Sequence, residues 1–87
     1  MANPLDFMCI GGPAAGTIVP RKDTAIIRFR VNQDIVVYRL AALTDVDGSL
    51  VRVWVPQNSQ ANVVADLLAV YREHMATVTR PYFDVEY

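Results

Sequence analysis

Ala25-Ile26-Ile27-Arg28-Phe29-Arg30-Val31, Ile35-Val36-Val37-Tyr38-Arg39-Leu40-Ala41-Ala42-Leu43 and Leu50-Val51-Arg52-Val53-Trp54-Val55 are three β-rich runs separated by two short polar connections. Branched and aromatic residues at this density favour strands, and turn residues between the runs favour an antiparallel meander. Asp47-Gly48 is a two-residue hairpin signal; with Val46 facing Ser49 it sets Ala42 opposite Val53 and Leu40 opposite Val55. A turn around Asn32-Gln33 sets Phe29 opposite Val36 and Ile27 opposite Tyr38. Side chains alternate between the faces of a strand. One face is therefore expected to hold Ile27, Phe29, Val31, Val36, Tyr38, Leu40, Val51, Val53 and Val55, and to be the core face. The other is expected to hold Arg28, Arg30, Arg39, Arg52 and Trp54, together with Ile26, Ile35, Val37, Leu43 and Leu50. A slip of one residue exchanges the two sets.

Upstream, Leu5-Asp6-Phe7-Met8-Cys9-Ile10 reads as a strand that stops at Gly11-Gly12-Pro13, and Thr17-Ile18-Val19 as a short return strand ending at Pro20. Downstream of Pro56 the period changes. Val64, Leu68, Tyr71, Met75 and Val78 recur at spacings of four and three, flanked by Val63 and Leu67, which predicts a helix over 59–79 capped by Asn58 or Ser59. Its end is set by Arg80, which precedes Pro81. Residues 81–87 read as an edge strand or an aromatic arm. The expected fold is α+β: an antiparallel sheet of about five strands over 5–56, with a central three-stranded meander and one C-terminal α-helix packed on one face, all in a single domain over 1–87.

The 87 residues leave no room for a second core, and burial in a domain this small is marginal enough to make self-association an expectation. Eight Lys+Arg against nine Asp+Glu exclude a global basic field of the kind that holds non-specific nucleic-acid binders. Arg28, Arg30, Arg39 and Arg52 interrupt every apolar run before it reaches membrane-spanning length. The N-terminal Met1-Ala2-Asn3-Pro4 has no positive charge ahead of a signal core, and the single Cys9 has no internal disulfide partner. These features suggest a cytoplasmic protein or one packaged into an intracellular assembly.

No reaction is spelled out. Gly11 and Gly16 have the outer spacing of a phosphate loop, but the lysine after the second glycine is missing and a strand follows where a helix is needed. Asp45-Val46-Asp47-Gly48 lacks the further ligands of a calcium loop. One His and one Cys cannot supply a transition-metal site, so no metal or cofactor is expected. Cys9 with His74 is the one conceivable nucleophile and base, and each is more simply a core or boundary residue. Paired carboxylates Asp45/Asp47 and Asp84/Glu86 have no evident cause for raised pKa values. A non-enzymatic protein is expected.

Arginines beside a tryptophan on a half-apolar sheet face resemble a protein interface, where both residue types are enriched. The expected binding surface is Arg28, Arg30, Arg39, Arg52 and Trp54, extended by Tyr82, Phe83 and Tyr87 of the tail. The same set also suits phosphates with an indole for base stacking, so nucleic acid or a nucleotide is the alternative partner.

Cys9-Ile10-Gly11-Gly12-Pro13-Ala14-Ala15-Gly16, then Val37-Tyr38-Arg39-Leu40, then Val51-Arg52-Val53-Trp54, resembles a pattern of small proteins encoded by bacteriophages and prophages. Those often show a C-x-G-G-P turn with an Asp-Gly pair, a central Y-R strand and a later aromatic strand. The likeness spans residues 7–55 and departs at Ala15, where those proteins usually carry Asp. It implies phage origin, as a virion component, an accessory factor or an inhibitor of a host defence. The expected function is then protein binding by a phage-type structural or accessory protein, assembling with itself or a larger complex.

Overall fold

The computed structural model describes residues 5–31, 33–44, 48–73 and 85–86. The meander forms as strands β1 (Ile26–Val31), β2 (Asp34–Thr44) and β3 (Leu50–Pro56), followed by helix α1 (Ala61–Glu73) and a short strand β4 (Val85–Glu86). All pairings in the four-stranded sheet are antiparallel, in the order β3-β2-β1-β4. This is an α+β architecture with fewer strands than the expected five. Residues 5–10 and 17–19 form only isolated bridges, Met8 with Ile18 and Cys9 with Trp54. The cause is local: Phe7, Gly11, Gly12 and Gly16 all have positive φ, which folds the segment into tight turns and leaves no extended run long enough for a ladder.

That compact segment nevertheless serves the sheet. Phe7 N–H donates to Arg52 O at 2.6 Å, Ile10 N–H to Trp54 O at 2.8 Å, and Trp54 N–H to Met8 O at 2.9 Å. It thus satisfies the outer edge of β3, which would otherwise present free backbone groups. β4 does the same for β1, with Phe29 opposite Val85 and Arg28 opposite Glu86.

The two hairpins differ. β1 and β2 pair with Phe29 opposite Val36 and Ile27 opposite Tyr38, as the turn at 32–33 requires. β2 and β3 pair one residue away from the expected register: Ala41 faces Val53, Leu40 faces Trp54, and the last pair is Thr44 with Leu50. Five residues, 45–49, span that connection, with Gly48 at φ 84°. A loop of odd length moves every side chain of β3 to the opposite face from the one a two-residue turn assigns.

Two apolar clusters result. Ile27, Phe29, Tyr38 and Trp54 are gathered with Cys9, Ala14 and Val19. Phe29 and Tyr38 meet edge-on at 5.3 Å, the favoured geometry for ring quadrupoles. Val51, Val53 and Val55 belong to the second cluster, with Leu5, Met8, Ile10 and the helix residues Val64, Leu68 and Tyr71. Of the helical stripe, Val64, Leu68 and Tyr71 are buried, and they share their cluster with the valines of β3 and with Leu5, Met8 and Ile10, not with the whole set expected to be their floor. Val63, expected to flank that stripe, is 49% exposed. Gln60 O accepts the first helical bond from Val64 N–H, so Gln60 is the cap residue instead of Asn58 or Ser59. Residues 74–79 of the expected helix lie outside the described residues.

Candidate interaction surface

The glycine loop is built for internal use. Tyr38, in the middle of β2, donates its hydroxyl to Gly11 O at 2.7 Å and accepts Ala14 N–H at 3.0 Å. Gly11 N–H reaches the Tyr71 hydroxyl at 3.4 Å, and the amides of Ala15, Gly16 and Thr17 donate to Gly12, Cys9 and Ala14 carbonyls. Those amides face protein acceptors, so they are not arrayed for an anion. A Cβ on Gly12 would stand 2.5 Å from the Tyr38 hydroxyl, which explains glycine there beyond its φ of +71°. Burial raises the Tyr38 phenol to about 12; the Ala14 amide opposes that rise and Cys9 and Tyr71 add to it. By sequence Tyr38 counts only as one of the core-face residues, and its signal as a clamp is the polar tip that a buried tyrosine must satisfy.

Cys9 is fully buried, and desolvation pushes its thiol up to about 12. A thiol that stays protonated at neutral pH is a poor nucleophile. His74, its proposed base, lies outside the described residues, as do Asp45, Asp47 and Asp84. Among the described residues no three His, Cys, Asp or Glu side chains gather in a way that could hold a metal ion, and no helix is long and apolar enough to cross a membrane.

The expected arginine–tryptophan face divides in two. Trp54 is fully buried and its Nε1–H donates to Val19 O at 2.9 Å, so the indole is neither exposed nor free to stack on a ligand. Arg52 shares its parity, on the side of Leu40 and Ala42. Its guanidinium lies 5.3 Å from the Phe7 ring centroid, and its backbone N–H donates to Asp6 Oδ1 at 3.0 Å. Arg52 thus clasps the N-terminal segment onto β3. Leu50, 65% exposed, falls on this side as well. The shifted β2–β3 register is the reason for all three displacements. Tyr82, Phe83 and Tyr87 lie outside the described residues.

Arg28, Arg30 and Arg39 do stand on one face. Their cross-strand neighbours are Val37, Ile35 and Ile26 respectively, in a checkerboard of arginine and aliphatic side chains. Ile35 is 57% exposed and Ile26 37%. Arg30 Nη2 lies 3.8 Å from Glu86 Oε1, an exposed pair of little energetic weight. Arg39 is half-buried and donates from Nη2 to Ser59 O at 3.2 Å, tying β2 to the approach of α1. Two shallow clefts flank this patch. One, about 310 Å³, is lined by Ile35, Val37, Pro56 and Gln57. The other, about 330 Å³, lies between Arg39, Ala41, Leu43 and the helix residue Val64. Set against protein-family models, curated proteins and solved structures, the chain has no match.

Proposed function

We propose that this protein is a non-enzymatic assembly module that contacts protein, in the first instance copies of itself, through the outer β1–β2 face. The observation that carries this is the exposure of Ile26 and Ile35 between Arg28, Arg30 and Arg39. Val51, Val53 and Val55 of β3 are buried in one cluster with Val64, Leu68 and Tyr71 of α1, and the β1–β2 half of the outer side retains its aliphatic groups in water. Covering them returns roughly 25 cal/mol for each Å² of apolar area removed from water. Arginine set among aliphatic side chains is the composition of an interface centre more than of a solvated face. The resemblance of residues 7–55 to phage-encoded proteins supports a structural or accessory role in the host cytoplasm or a virion. The nucleic-acid reading loses its stacking ring, since the Trp54 indole is enclosed and its N–H engaged.

Light scattering across a concentration series tests the proposal. The wild type is expected to exceed the 9.7 kDa of one chain, increasingly so with concentration. Ile35→Asp, with an unchanged circular dichroism spectrum, is expected to return to the single-chain mass. A wild type that stays at one chain throughout overturns the proposal. So does tight binding to a labelled oligonucleotide that collapses steeply as salt rises.

A further inference from the structure

The β1–β2 face is cationic and aliphatic, and the molecule carries a second exposed surface of complementary character. On the outer side of α1, Val63 and Val70 are each 49% exposed and stand two turns apart. Between and beside them, Asp66, Ala69 and Glu73 are exposed as well. The spacing of these five residues puts them on the side of the helix opposite Val64, Leu68 and Tyr71. We infer that the chain assembles head to tail, the β1–β2 face of one copy receiving the outer face of α1 from the next; this rests on the self-association proposed above and names the mating surface.

Three considerations select this pairing. Two copies of the β1–β2 face brought together about a twofold axis would set Arg28, Arg30 and Arg39 against their own kind, with Glu86 alone in opposition among the described residues. Two helix faces would likewise set Asp66 and Glu73 against each other. Crossing one face with the other places arginines against carboxylates and isoleucines against valines. The dimensions agree too: thirteen helical residues extend about 20 Å, and the six residues of β1 about 20 Å. Such an interface joins different surfaces, so a pair of copies keeps one surface of each kind unused. Assembly then continues until a ring closes or a filament grows.

Charge exchange tests the inference apart from the proposal beneath it. Arg28→Glu/Arg30→Glu and Asp66→Lys/Glu73→Lys change exposed side chains only, and circular dichroism and melting check that both variants fold. Each alone is expected to lose higher-order assembly, with the apparent dissociation constant raised at least about tenfold. The fourfold variant carrying both exchanges is expected to regain it, because the opposed charges are reversed together. If the wild type assembles and Asp66→Lys/Glu73→Lys does so equally well, the helix is not the mate and the inference fails while the β1–β2 interface stands. Failure of the fourfold variant to recover also overturns it. A wild type that never associates removes both.

Discussion

The two sides of the sheet are built to opposite specifications. On the inner side Ile27, Phe29, Tyr38 and Trp54 are all fully buried, and the polar tips of Tyr38 and Trp54 are paired with backbone of the N-terminal segment. On the outer side the valines of β3 are buried while Ile26, Arg28, Arg30 and Ile35 of β1 and β2 meet water. An enclosed surface whose polar groups are satisfied holds the fold, and an open one of mixed character is available for association. Substitutions on the two sides should therefore separate stability from assembly.

The largest effect is expected from Trp54→Ala. Removing a fully buried indole costs about 3–5 kcal/mol, a large part of the total stability of a domain this small. Urea unfolding followed by circular dichroism should show it, and a loss under about 1 kcal/mol would place the indole elsewhere. Gly12→Ala comes next, at about 3 kcal/mol, from an unfavourable positive φ plus displacement of the Tyr38 hydroxyl. Gly48→Ala provides its control: φ is again positive, but nothing lies within 4 Å, so the cost should be only about 1 kcal/mol. Equal losses at the two glycines would break the claim that Tyr38 clamps the loop.

Tyr38→Phe leaves Ala14 N–H and Gly11 O without their partner and should cost about 2 kcal/mol. The same side of the sheet sets an alkaline limit. Tyr38 and Cys9 hold their protons to about 12 when folded, against 10.0 and 9.0 in the open chain, so the folded state binds more protons between those values. Stability is full below pH 9 and falls as pH rises towards 12, by up to about 1.4 kcal/mol per pH unit for each group. Melting curves from neutral to alkaline pH should show this, with a shallower decline in Tyr38→Phe. The smallest stability effect belongs to the outer side: Ile35→Asp should stay within about 0.5 kcal/mol of wild type while abolishing association.

The same contrast explains what could be read from the residues alone. The β1–β2 register was legible because Ile27, Phe29 and Val31 alternate with arginines, so only one parity buries the apolar set. β3 offers no such guide. Val51, Val53, Trp54, Val55 and Leu50 are apolar at both parities, and Asp47-Gly48 marks a turn without stating its length. Burial on both sides of β3 is the structural counterpart of that pattern: Val51, Val53 and Val55 cluster with Leu5, Met8, Ile10 and helix residues, and Trp54 with Tyr38 and Val19. The helical stripe is visible in its own periodicity, but which strand residues join its cluster is decided by the parity of β3. Arg28, Arg30 and Arg39 share one face because they lie on strands with an unambiguous register, and Arg52 and Trp54 leave it with the strand that carries them.

Trp54 is the one tryptophan in the chain, so its fluorescence reports the inward parity of β3 without any labelling. The account predicts blue-shifted emission and strong protection from acrylamide in the native protein, both lost on unfolding in urea. Native emission at the wavelength of a solvated indole, quenched as readily as in the unfolded chain, would contradict it and return the ring to the arginine face.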